Sequence, residues 1–107
     1  MGISINVREY TGALVDSWGD DGTVAELCEL AAEQPDKYPL LWGVDRYDDT
    51  YFNARQAVRM LTELELLSGQ PEAVRFRETI VQILRVVSLL EPAPRRPHHR
   101  RLHFSGD

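Results

Sequence analysis

Two long amphipathic segments joined by a short turn constrain the fold of this chain more than any other feature. Apolar residues recur at helical spacing through residues 50–67 and again through residues 71–90. Between them, Ser68-Gly69-Gln70-Pro71 supplies a glycine to end one helix and a proline to begin the next. The pattern predicts an antiparallel helical hairpin as the main part of the core.

A shorter helix and two short strands are predicted beside this hairpin. The capping box Thr23-Val24-Ala25-Glu26 predicts a first helix over residues 24–34, which Pro35 ends. Residues 35–44 contain two prolines and are predicted to be an extended connector. Apolar and polar residues alternate over residues 3–7 and 101–105, so these segments are predicted to pair as a two-stranded ribbon.

Length and composition predict one α+β domain over residues 1–107, with a three-helix core and the ribbon as its minor part. Hydrophobic residues make up 43% of the chain and charged residues 27%, typical of a globular protein. Residues 92–101 are predicted to be a Pro/Arg-rich connector to the short C-terminal strand. No apolar run approaches the roughly 20 residues that cross a bilayer. The single cysteine, Cys28, fits a core position and a reducing compartment, so a cytoplasmic protein without membrane contact is predicted.

The net charge of −5 is distributed unevenly. Residues 1–54 carry eleven acidic and three basic residues, residues 55–91 carry five of each, and residues 92–107 carry four arginines and one aspartate. An acidic half disfavours binding to a nucleic-acid backbone and predicts a basic protein partner. The alternative is a solvated acidic surface that only maintains solubility.

One ion pair and one wide apolar face are predicted along the hairpin. Arg59 and Glu63 lie at i,i+4 spacing on the side away from the core and are predicted to pair. The apolar stripe of the predicted helix over residues 71–90 is wider than one partner helix can cover, because it includes Val81, Val86 and Leu89. Either the N-terminal elements or a second copy of the chain must cover this face, so a homodimer is one of two expectations.

Residues 44–53 concentrate polar and aromatic side chains at the start of the second predicted helix. Asp48 or Asp49 is predicted to cap that helix, which begins near Thr50. An arginine such as Arg55, or helix N–H groups, is expected to compensate the carboxylates. The candidate functional cluster comprises Asp45, Tyr47, Asp49, Thr50, Asn53 and Asp107.

Oxygen atoms of this cluster suit Ca²⁺ or Mg²⁺, and the ligands would be Asp45, Asp49, Asn53 and Asp107. The spacing fails as a calcium loop, because Thr50 stands where glycine is needed and Gln56 where a glutamate belongs. We therefore predict no metal and no cofactor, and expect capping with Tyr–Asp hydrogen bonds instead.

A basic tract precedes the last strand. Arg95, Arg96, Arg100 and Arg101 could contact nucleic acid, but no aromatic residues are interleaved with them, so a solvated or intramolecular charge patch is predicted. The neighbouring histidines His98, His99 and His103 are predicted to lie in solvent rather than to bind a metal.

Residues 45–53 read D-x-Y-x-D-T-x-F-N, and residues 104–107 read F-x-G-D. In this pair of motifs the chain resembles a group of small bacterial proteins that carry the first near the middle and the second at the very end. The resemblance covers most of residues 38–67 and 102–107. It implies a shared fold and a place to look for a site, and no particular reaction.

Three functions follow from these patterns, and no catalytic residues are predicted. The favoured function is a non-enzymatic protein-interaction module of the immunity, antitoxin or adaptor type that docks a basic partner. The alternative is a small metal-dependent enzyme or ligand-binding module built on Asp45, Asp49, Asn53 and Asp107. The third is a nucleic-acid accessory protein acting through the arginine tract.

Overall fold

The computed structural model describes residues 2–9, 11–19, 22–91 and 100–106. Within these ranges the chain forms four strands, four α-helices and two 3₁₀ segments. The strands are β1 (Ser4–Arg8), β2 (Leu14–Gly19), β3 (Asp49–Phe52) and β4 (Arg101–Ser105). The α-helices are α1 (Thr23–Ala32), α2 (Pro39–Trp42), α3 (Ala54–Ser68) and α4 (Arg77–Val87), and the 3₁₀ segments are Pro71–Phe76 and Ser88–Leu90.

The four strands form one antiparallel sheet in the order β2-β1-β4-β3. The predicted pairing of the two terminal segments is confirmed, because Ile5 lies opposite Phe104 and Val7 opposite Leu102. The prediction of a minor two-stranded ribbon is wrong. A third strand adds to β1 and a fourth to β4, so the sheet is one of the two main layers of an α+β fold.

The start of α3 corrects the prediction that Asp48 or Asp49 caps this helix. Asn53 is the N-cap: its Oδ1 accepts a hydrogen bond from the Gln56 backbone N–H at 2.9 Å. Gln56 Oε1 accepts in turn from the Asn53 N–H at 2.9 Å, which completes a capping box. Asp49 instead opens β3, because Thr, Tyr and Phe follow it and these residues favour strands.

Three further segments differ from their predictions. The prediction of a capping box that begins at Thr23 is wrong, because the N-cap residue of α1 is Gly22, whose φ is 93°. Glycine has no side chain with which to form a cap hydrogen bond. The connector over residues 35–44 is not fully extended, since α2 begins there at Pro39. The last predicted helix is divided, with 3₁₀ segments on both sides of α4.

The helices cover one face of the sheet, and the core lies between the two layers. Ile5 and Val7 of β1 and Leu102 and Phe104 of β4 are fully buried in a cluster shared with the helices. Val86 is also fully buried, because α4 packs on β1 and β2. The N-terminal strands cover part of the wide apolar face, because Val86 is buried against them, whereas Val81 remains 59% exposed. The homodimer therefore stays a prediction.

No helix within residues 2–9, 11–19, 22–91 and 100–106 combines the length and apolar character that crossing a bilayer requires.

Candidate functional site

The structure divides the predicted cluster. Asp45 and Tyr47 lie in the loop before β3, and Asp49 opens that strand. Asn53 follows its other end, so about 13 Å of extended chain separates Asp49 from Asn53, too far for both to bind one ion. Asp107 lies outside the described residues.

The loop before β3 is held by its own side chains. Asp45 Oδ1 accepts a hydrogen bond from the Tyr47 N–H at 2.8 Å, and Thr50 Oγ1 accepts one from the Asp45 N–H at 2.9 Å. Asp48 Oδ1 accepts from the Asp49 N–H at 2.7 Å. These aspartates therefore shape a loop, as aspartate commonly does by bonding to nearby backbone N–H groups.

The motif over residues 45–53 and the C-terminal F-x-G-D motif meet at this loop through Gly106. Gly106 donates its N–H to the Asp48 carbonyl oxygen at 3.1 Å. A Cβ atom on Gly106 would lie 2.6 Å from the Arg46 carbonyl carbon and oxygen, closer than real Cβ contacts allow. Glycine is therefore required at this position, because only its backbone can approach the loop so closely.

A groove of about 260 Å³ lies between α1 and the segment over residues 42–47. Small residues of α1 line one side, and these are Ala25, Cys28 and Ala32. Trp42 and Tyr47 line the other side and are 59% and 64% exposed. The conspicuous feature is this pair of large aromatic side chains, which are left in water although the core lies beside them.

Charged residues cross and flank the groove. The Arg46 guanidinium forms an ion pair with Glu29 and lies 5.7 Å from the centre of the Tyr47 ring. Glu26 and Glu29 are exposed on α1, Glu33 is exposed directly after it, and Glu26 pairs with Arg75 at 3.2 Å. One guanidinium is therefore already bound here between a carboxylate and an aromatic face, which is chemistry suited to basic side chains.

The pKa of the Cys28 thiol, which lines the groove, departs clearly from its ordinary value. Burial raises the pKa of the Cys28 thiol to about 12, and the nearby Glu29 carboxylate adds to the rise. The thiol therefore stays protonated and is a poor nucleophile. The prediction that Cys28 is a core residue is confirmed by its burial.

The other face of the sheet carries a histidine that the sequence placed wrongly. His103 is buried rather than solvated. Its Nε2 lies 2.9 Å from Asp49 Oδ1 and its Nδ1 lies 3.2 Å from Asn6 Nδ2. The Tyr51 ring stacks on it at 4.4 Å between centroids. Because both nitrogens and one ring face are occupied, His103 is suited to fixing its neighbours rather than to transferring protons.

Glu63 is a second residue whose role the sequence did not reveal. The predicted exposed pair with Arg59 is wrong, because Glu63 is buried. Its carboxylate accepts hydrogen bonds from the Leu40 N–H at 3.1 Å and 3.2 Å and from the Leu41 N–H at 3.1 Å. Glu63 thus accepts hydrogen bonds from the N–H groups of the first turn of α2, which have no partner within the helix. This helix ends at Trp42 and places it at the groove.

Arg100, one of the two described arginines of the tract, is engaged within the chain. Arg100 binds Glu9 Oε1 through Nη2 at 3.0 Å and donates to the Leu89 carbonyl oxygen at 2.8 Å. Arg95, Arg96, His98 and His99 lie outside the described residues. Over the ranges that the structure covers, no three His, Cys, Asp or Glu residues are grouped so as to hold a metal ion.

Comparison with protein-family models, with curated proteins and with solved structures finds no significant match to this chain.

Proposed function

We propose that this chain is a small cytoplasmic, non-enzymatic protein-interaction module of the immunity, antitoxin or adaptor type. Its binding surface is the groove between α1 and residues 42–47, and its partner is a basic protein. The observation that carries this proposal is the exposure of Trp42 and Tyr47 on a groove that Glu29 and Asp45 also line.

Exposed aromatic residues of this size favour a binding role. Tryptophan and tyrosine provide large contact areas with few rotatable bonds, and they are enriched among the residues that dominate interface energies. Trp42 is the last residue of α2, whose single turn Glu63 holds against α3, so the backbone position of Trp42 is set before any partner arrives. A positioned aromatic side chain loses little conformational entropy on binding.

Charge favours a basic partner. Residues 22–49, which include α1 and the groove segment, contain seven acidic and two basic residues. Glu33 has no ion-pair partner among the described residues and extends the acidic strip of α1 beyond Glu29. Complementary charge speeds association and suppresses acidic competitors.

The metal-dependent alternative receives less support. It needs Asp45, Asp49 and Asn53 to converge, whereas Asp45 bonds to its own loop, Asp49 bonds to His103 and Asn53 caps α3. The nucleic-acid alternative loses Arg100 as a free cation, because Glu9 binds it.

The proposal is tested by recovering partners with the tagged protein and measuring their affinity with purified components. The Trp42→Ala and Tyr47→Ala double variant should bind at least about 30-fold more weakly, as for loss of a dominant interface residue. The matched control is Val58→Ala, since Val58 is 58% exposed on α3 and does not line the groove.

Salt dependence provides the second measurement. Affinity should fall as salt rises from about 0.1 M to about 1 M, over which the screening length shortens from about 10 Å to about 3 Å. A purified partner that binds the double variant as tightly as the wild type, or that is acidic and insensitive to salt, would contradict the proposal.

A further inference from the structure

The open face of the sheet, away from the helices, brings two arginines together. Arg8 of β1 and Arg101 of β4 are directly paired in the antiparallel register. Paired residues project to the same face, and their neighbours Val7 and Leu102 point into the core, so both arginines lie on the outer face. A small cavity of about 110 Å³ is lined by Arg8, Glu9, Gly12, Tyr51 and Arg101.

The charge around this cavity is positive, in contrast to the chain as a whole. Within the described ranges neither Arg8 nor Arg101 forms an ion pair, and Arg8 donates to the Gly12 carbonyl oxygen at 2.9 Å. Glu9, the carboxylate that lines the cavity, binds Arg100 through Oε1, and its Oε2 is buried. Glu9 is therefore not free to neutralise both Arg8 and Arg101.

The aromatic wall of the cavity is held in place. Tyr51 stacks on His103 with an angle of 7° between the ring planes. His103 is fixed by Asn6 on one side and Asp49 on the other. The Arg101 guanidinium lies 6.0 Å from the centre of the Tyr51 ring. The hydrogen bonds with Asn6 and Asp49 thus fix His103, and His103 holds the Tyr51 ring that forms one wall of the cavity.

We propose that this cavity binds the phosphate group of a small molecule, either free phosphate or a phosphate monoester. Two adjacent guanidinium groups offer several N–H donors and two positive charges, which match a dianion with several acceptor oxygens. A carboxylate would satisfy only one guanidinium fork. The site lies outside the groove over α1, so it is independent of the proposed protein-binding surface.

Calorimetric titration of the full chain with inorganic phosphate tests the proposal. Saturable binding is expected in dilute buffer, and Arg8→Gln and Arg101→Gln should each weaken it by at least about tenfold, as for loss of a charged hydrogen bond. Arg55→Gln is the matched control, since Arg55 is exposed on α3 outside the cavity and its loss changes the net charge equally.

Further variants exclude a general loss of structure and separate the two sources of phosphate. Arg8→Lys keeps the charge and should retain more affinity than Arg8→Gln, with unchanged circular dichroism in both. Tighter binding of AMP than of phosphate, lost in Tyr51→Leu, would support a nucleotide, and equal affinity would support free phosphate. Absence of saturable binding, or binding that Arg8→Gln and Arg101→Gln reduce no more than Arg55→Gln, would overturn the proposal.

Discussion

Replacing Glu63 by alanine should destabilise the fold more than any exposed substitution on α3, because it removes a buried acceptor. The Glu63 side chain is held among the helices with the residue only 4% exposed, and it accepts from the N–H groups of Leu40 and Leu41. Both donors lie in the first turn of α2, where no preceding helical carbonyl can bond to them. The substitution therefore leaves two backbone groups without partners.

The magnitude follows from these two donors. Each buried polar group left without a partner costs about 1–3 kcal/mol, and the Leu40 N–H is only partly buried, so Glu63→Ala should reduce the free energy of unfolding by about 2–4 kcal/mol. That loss is large beside the total of about 5–15 kcal/mol that is typical of a domain. Glu63→Gln retains an oxygen acceptor of similar size and should lose less, about 1–2 kcal/mol.

Urea unfolding followed by circular dichroism measures the effect, with the free energy extrapolated linearly to water. Glu65→Ala is the matched control, because Glu65 is exposed on the same helix and should change stability by no more than about 0.5 kcal/mol. Equal stability of Glu63→Ala and Glu65→Ala would refute the conclusion that the carboxylate anchors α2.

Three other predictions concern single groups. Asn53→Ala should cost about 1 kcal/mol in thermal or urea unfolding, whereas Asp48→Ala should have a smaller effect, because only Asn53 caps α3. The hydrogen bond from Arg85, with a second from the Ser17 N–H, lowers the pKa of Asp16, so the stabilisation is present at neutral pH and is lost as pH falls through this lowered pKa. Arg85→Gln should raise the pKa of Asp16, as measured by NMR titration. Burial raises the pKa of Cys28 from its ordinary value of 9.0 to about 12. The stability contributed by the protonated thiol is therefore fully present below pH 9.0 and is lost as pH rises through about 12. At pH 8, Ellman's reagent should therefore react with Cys28 in urea but not in the native protein.

Local apolar patterns predicted the parts of the fold that depend on neighbours in sequence. Leu64 and Leu67 of α3 and Ile80 and Ile83 of α4 are buried as their spacing predicts. Even here the pattern has limits, because Val58 belongs to the apolar run over residues 50–67 and is 58% exposed. The width of a helical stripe is set by the layer that covers it, which a single helix does not specify.

The errors fall where a residue acts on a distant partner. Glu63 lies 23 residues from Leu40, and His103 lies 54 residues from Asp49, so no local spacing indicates either contact. Asp48 and Asp49 have the chemistry of helix caps, so a helix start was predicted where β3 begins. The correct capping signal for α3 is Asn53 three residues before Gln56, and it follows these aspartates in the sequence.

In the candidate site, sequence reasoning found the segment but not its geometry. Asp45 and Tyr47 do line the groove, whereas Asn53 belongs to a helix cap at the far end of β3. Trp42 fell within the predicted extended connector over residues 35–44 and was not among the candidate residues. Its exposure depends on the turn of α2, which forms because Glu63 meets two donors from another part of the chain.

The central position of β1 and β4 has a consequence for synthesis on the ribosome. Asn6 and His103, which bond across these strands, are 97 residues apart, so the middle of the sheet has a high contact order. A nascent chain displays β1, β2 and both long helices before β4 is translated. Until then β1 has one unpaired edge, and such edges invite pairing with other chains. Emergence of residues 101–105 should therefore be the event that commits the chain to its fold.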